Sequence, residues 1–480
     1  MRIIAIAIAV VCSSCAQVFG IDETTPPAAA TLELQRVSIG ATVVTGPLDV
    51  GANTPAFLAV DASDPSGFGR ITGTLTEPGH WSAAIASVAG VVYRAPDLPM
   101  PFQHELAFQS RAQSTSFVAF EHPNPQPAPA ASNVMVSVTL PGLYAATEAL
   151  QIVAIGAWTN HVLTGGELPA VGATAIATTI PYAAFRAMTA SPPARITLQD
   201  VVLVLRYTGN TLTGQLILPP FDQTTGTDVV TGTMGTVTAT TPFDAKIDPM
   251  MVASRFAAQM PKGSAPVLGW RIAAAPGYSV GVPTGVLLNG AGVAMADTTI
   301  AGTFSNPFTT NMWKPMLTYV SSGTRTFTLG GTTVTLGSSL SSLADPSPGL
   351  ILDLPAGLPT AISLGGAPLT SDGMTVTTDV TKPVDVEITA DRPTNAYYDA
   401  TLIEIAVVGS SVISTPVIEV SGSSPHLTLP PNVLLHGHTY TLNVACIAGG
   451  RPDAASGNLQ TFALPMSVGT AASGIFTIAP

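Results

Sequence analysis

Gly277-Tyr278-Ser279-Val280-Gly281 has the Gly-x-Ser-x-Gly spacing of a nucleophile elbow, in which a strained strand-to-helix turn lifts a serine beside a histidine and an oxyanion hole. Leu268 to Ala275 supplies an apolar strand ahead of it. The flanking residues do not suit a helix: Pro276 breaks the approach, and Val282-Pro283-Thr284-Gly285-Val286 cannot open the turn that carries oxyanion donors. In a chain with 44 glycines the pattern also arises by chance. Ser279 is a candidate nucleophile, and the enzyme it would serve is a secreted hydrolase.

His436 and His438 lie two apart, a spacing that places both imidazoles on one face of a strand. Zinc needs three or four ligands, and His426 and Glu419 have no sequence reason to converge on the pair, so loop positions flanking Gly437 account for both histidines. Asp61-Ala62-Ser63-Asp64 and Asp372-Gly373 lack the spacing that gives calcium six to eight oxygens and read as turns. Trp81, Trp158, Trp270 and Trp313 could stack on sugar rings, and Trp81 and Trp158 are the candidates for a glycan-binding surface. Apolar neighbours beside each tryptophan point to a core instead. No cofactor motif is present, and none is expected.

The remaining chemistry is that of cysteine. Arg2 supplies a positive start, Ile3 to Val11 an apolar run, and Ser13-Ser14-Cys15 a small-residue cleavage site ending in cysteine. This stretch resembles a bacterial lipoprotein signal peptide, with Cys15 as the acylated residue. Cys12 suits the role less well, because bulky Val10 and Val11 would fill the small-residue positions. The resemblance implies membrane attachment through lipid on Cys15, and Ala16 after it implies an outer-membrane lipoprotein of a Gram-negative envelope; an ordinary secretory signal cut near Ala16 is the alternative. Cys446 is then left without a partner in the chain and reads as a buried free thiol in an alternating apolar run.

Composition bounds the rest. The 480 residues carry 10% charged and 46% hydrophobic side chains, with 44 Gly and 42 Pro, which favours short strands joined by turns over long helices or disorder. Net charge is −12, and without clustered Lys and Arg the chain has no means of gripping a phosphate backbone, so nucleic acid is excluded as a partner. The expected fold class is all-β: serial β-sandwich domains, immunoglobulin-like or fibronectin III-like, with one or two short helices in the middle.

Punctuation by Gly and Pro sets the organisation. Residues 1–15 are the leader and 16–31 an extended tether. Residues 32–131 form a small β-sandwich, resembling prealbumin-like or immunoglobulin-like modules, that ends in the Pro-rich run after His122. Residues 132–370 form a larger β-domain. In it Gly209-Asn210 and Gly330-Gly331 mark hairpins, and a short helix over 249–260 is expected from Asp248 as N-cap and Pro249 at the first position. Its buried face is expected at Met251, Val252, Phe256 and Ala257; Pro181 to Met188 is a second helix candidate. In 371–480, Leu434, Gly437 and Tyr440 at steps of three, with Leu442, Val444 and Cys446 after them, resemble the end of a fibronectin type III domain. That resemblance implies a structural corner in which Tyr440 ties down the loop before it.

These readings together describe a non-catalytic envelope lipoprotein with a structural, adhesive or ligand-binding role. Its unknown partner would be a protein or a glycan.

Overall fold

The computed structural model describes residues 29–39, 43–60, 68–85, 88–93, 105–121, 129, 132–155, 159–181, 195–198, 200–237, 240–259, 261, 264, 267–276, 286–290, 293, 296, 298–306, 313–461 and 463–480. Cys15, Trp158 and Ser279 lie outside them, as do Asp61, Asp64 and all but the first residue of the 181–188 helix candidate. Pro181 itself ends the strand Ala175–Pro181.

The described chain is all-β, a multi-domain sandwich architecture of several sheets. Among the described residues one α-helix, Pro249–Ala258, joins them. The helix starts as its sequence dictates: Asp248 accepts a 2.8 Å bond from the Met251 N–H, and Pro249 occupies a position with no N–H to satisfy. Its buried face differs from the expected one. Val252 and Phe256 are buried, but Ala257 is exposed and Arg255 takes the inner position, because this face meets an acid as well as a core.

Fourteen of the described strands make the largest sheet, which combines strands between Ala56 and Gln109 with strands between Val267 and Ile478. Its longest hairpin joins Trp313–Leu329 to Thr332–Ala344 through Gly330 and Gly331, at φ 56° and 83°. Both turn positions are left-handed, the geometry that two-residue hairpins need and that glycine adopts without strain. Gly209, at φ 53°, turns the second expected hairpin between Val201–Thr208 and Thr211–Ile217. Pairing within the large sheet crosses both expected domain borders. Glu105–Gln109 runs parallel to Ser411–Gly422, and Thr332–Ala344 pairs with Ala463–Ala472. Strand also begins within the expected tether, since Ala29–Ile39 pairs with His80–Ala84 from Ala29 onward.

Alternation decides what each face buries. In Val384–Ala390 the residues Val384, Val386 and Ile388 point inward and Asp385, Glu387 and Thr389 outward. The inward set packs on Tyr398, Ala400, Leu402, Leu442, Val444 and Cys446 of the large sheet, closing a two-layer core. The reverse face of those same strands, through Tyr397 and Ile447, packs with Phe108 against Leu32 and Leu34 of Ala29–Ile39. The large sheet is therefore covered on both faces near its carboxyl-terminal strands.

Candidate functional site

Between these layers lies a group of polar side chains on one face of two paired strands. Tyr397 and Asp399 come from Tyr397–Val408, while Glu419 and Ser421 come from Ser411–Gly422. Asp399 stands directly across from Ser421, and Glu419 is opposite Thr401, one diagonal away. A period of two along each strand puts all four on the same face. Ser421 faces both Asp399 and Tyr397 and acts to lower the pKa of each, and the Tyr397 ring stacks on Phe108 at 6.0 Å and 26°. Phe108 belongs to Glu105–Gln109, the strand that pairs in parallel with Ser411–Gly422. Arg451, just beyond Thr439–Gly450, adds a positive charge.

The electrostatics are those of one carboxyl group, Asp399, in a poor solvent beside a second negative charge. Asp399 is part-buried as a residue, but its Oδ1 is sealed from water and has no hydrogen-bond partner. Burial first, then the Glu419 charge, push its pKa up to about 7, against the opposing pull of Ser421 and Arg451. Burial and Asp399 likewise raise Tyr397 well above an ordinary phenol. Buried beside a like charge, Asp399 holds its proton more readily than an exposed carboxyl does.

The other buried charges secure backbone. Arg206 forks onto Glu148 at 3.0 and 2.7 Å and donates to the Leu143 carbonyl. Burial works to raise Glu148, and the Arg206 fork with the Ala145 N–H overcomes it, leaving the carboxyl lowered. Arg255 reaches both oxygens of Asp391 and also the carbonyls of Leu354 and Ala356. Arg325 grips Asp372 and the Ser473 carbonyl, and Asp372 accepts the Ile475 N–H at 2.9 Å. Asp372, expected as a turn former, is thus also an ion-pair partner beside Gly373 at φ 80°.

The histidines part company. They sit in a turn rather than on a strand, either side of Gly437 at φ 77°. His436 Nδ1 lies 2.5 Å from the Ala479 carbonyl, while His438 Nδ1 lies 2.8 Å from Glu404. Among the described residues no three His, Cys, Asp or Glu side chains gather where they could hold a metal. Leu434 and Tyr440 are buried, and the Tyr440 hydroxyl accepts a 3.0 Å bond from the Leu435 N–H, tying down the loop that precedes it. Trp81 packs part-buried on the core of the amino-terminal sheet, and Trp270 meets Phe243 edge-on at 5.3 Å inside the largest core. Cys446 is buried and free.

No motif spacing marks the Asp399 and Glu419 pair. The signal available in sequence is an aspartate interrupting the run Tyr397-Tyr398-Asp399-Ala400, in register to face inward.

No family model matches the chain, and no curated protein matches it. Among solved structures, a Salmonella alpha-2-macroglobulin variant aligns over 93% of this chain at 10% identity and a TM-score of 0.10, a likeness that assigns neither fold nor activity. The chain spans about 29% of that protein's length. Among the described residues no helix is long and apolar enough to cross a membrane.

Proposed function

We propose that this protein is a non-catalytic lipoprotein of the Gram-negative outer membrane, held by lipid on Cys15 and acting by position. The carrying observation is the leader of Met1 to Cys15, set only residues 16–28 ahead of Ala29, where the first described strand enters a sheet. Those thirteen residues reach at most roughly 45 Å, so the lipid holds the β-domains close to the surface it occupies. A buried arginine set that secures backbone, and a loop tied through Tyr440, support a rigid body that presents loops to a protein or glycan partner.

The test is the mature amino terminus. Metabolic labelling with an alkyne fatty acid should mark the protein, Cys15→Ala should abolish the label, and mass spectrometry should find acyl groups on residue 15. An unmodified terminus at Ala16 refutes the reading and leaves a secreted protein.

A further inference from the structure

The Asp399 and Glu419 pair sits where the two ends of the chain meet. Glu105–Gln109 extends the large sheet in register from Ile418 opposite Glu105 to Gly422 opposite Gln109. The Gln109 amide closes the end of this seam twice, donating to the Thr428 carbonyl at 2.6 Å and accepting the Thr428 N–H at 3.1 Å. A second parallel contact, Asn458 and Leu459 against Ser116 and Phe117, holds the amino-terminal sheet beside it. Phe108, Tyr397, Ile447, Ala454 and Leu459 fill the space between.

We propose that Asp399, with the Glu419 charge beside it, is a proton-operated catch under this seam: a proton on Asp399 keeps the amino-terminal strands docked on Ser411–Gly422, and its loss loosens them.

The geometry supports this on every side. Among the described residues, Tyr397 from the same strand, Glu419 from the next and Arg451 beyond Thr439–Gly450 are the titratable groups acting on Asp399. The docked strands bring apolar side chains to this face, Leu106 and Phe108 from one and Leu32 and Leu34 from the other. Glu105 belongs to the alternate set and is occupied by Arg70 at 2.6 Å. Docking therefore takes away water and offers Asp399 Oδ1 no donor in exchange, so ionised Asp399 is the poorer fit. Undocking readmits water to Asp399.

The raised value sets the sign. The docked form keeps a proton that the undocked form releases near its ordinary pKa, so docking is favoured at low pH, weakens between about pH 4 and about pH 7, and is flat above.

Hydrogen exchange by mass spectrometry on the full chain reads this directly, with peptides covering 105–109 and 411–422 corrected for intrinsic exchange rates. Opening of these peptides should increase roughly tenfold or more from about pH 5 to about pH 7.5, while the hairpin 313–344 keeps its protection. Asp399→Asn, the neutral isostere, should hold the seam closed across the range. Glu419→Gln removes the like charge and should move the change to lower pH. Opening that is independent of pH in the parent chain, or the same pH dependence in both variants, overturns the proposal.

Discussion

Replacing Arg255 with methionine is the sharpest test of how the helix is held. The guanidinium makes four hydrogen bonds: 2.6 and 2.9 Å to Asp391, 2.9 Å to Leu354 O and 2.5 Å to Ala356 O. Charge-assisted bonds at about 1.5–3 kcal/mol each would total roughly 6–12 kcal/mol, but that sum ignores the cost of stripping water from the arginine. Breaking a buried pair measures about 3–5 kcal/mol, because it leaves the partner charge uncompensated. Here Asp391 retains the Leu358 N–H at 2.7 Å and 19% side-chain exposure, which soften its isolation and set the expectation near the low end, about 3 kcal/mol. Methionine fills the space of the arginine stem, so the loss should be polar rather than a cavity. Trp270 lies in the same core as Val252 and Phe256, and its fluorescence in a urea titration reports this region. The double variant Arg255→Met with Asp391→Leu should recover to within about 1 kcal/mol of the parent, since an apolar pair carries no orphaned charge. A single variant indistinguishable from the parent, or a double variant no better than the single, would refute the account.

Two tyrosines should respond in opposite directions. Tyr440→Phe removes the acceptor of the Leu435 N–H and should cost about 1 kcal/mol in chemical denaturation, whereas Tyr319→Phe deletes a buried hydroxyl without a partner and should be neutral or stabilising by about 1 kcal/mol. Burial, then the negative charges of Asp391 and Asp399, push the Cys446 thiol up to about 12. Iodoacetamide at about pH 8 should therefore leave the native protein unlabelled and modify it fully in denaturant, with rapid native labelling counting against a sealed thiol. Asp248→Ala should cost about 1 kcal/mol through the lost cap, while Asp248→Asn, which keeps an accepting oxygen, should sit close to the parent by the same titration.

What was legible in the sequence was local. Asp248-Pro249 announced a helix start and Gly330-Gly331 a hairpin, because each depends on neighbours along the chain, while the loop held by Tyr440 was expected only from the resemblance carried by Leu434, Gly437 and Tyr440. The candidate site depends on distance. Asp399 and Glu419 belong to one hairpin, yet the environment that raises Asp399 comes from strands near residues 106 and 459, and nothing in either segment marks the other. The same limit explains the exchange of Ala257 for Arg255 on the inner face of the helix. Helical spacing identifies which positions share a side, but the acid that makes an arginine acceptable there is 136 residues away.

That distance also explains why so few charges matter so much. Many strands here alternate Thr or Ser with Val, Leu or Ile, and a ladder of that kind tolerates register shifts wherever both faces are similar. A shift of one residue in Val201–Thr208 would turn Arg206 away from Glu148, and a shift in Trp313–Leu329 would turn Arg325 away from Asp372. Each slip would strand a buried charge at a cost of about 3–5 kcal/mol, far more than one mismatched Thr–Val contact. The charges thus act against wrong pairings more than they add to the right one. On this reasoning, uncharged isosteric pairs at these positions should preserve the stability of a correctly folded chain but lower its refolding yield, a separation that comparing equilibrium unfolding with recovery from denaturant would expose.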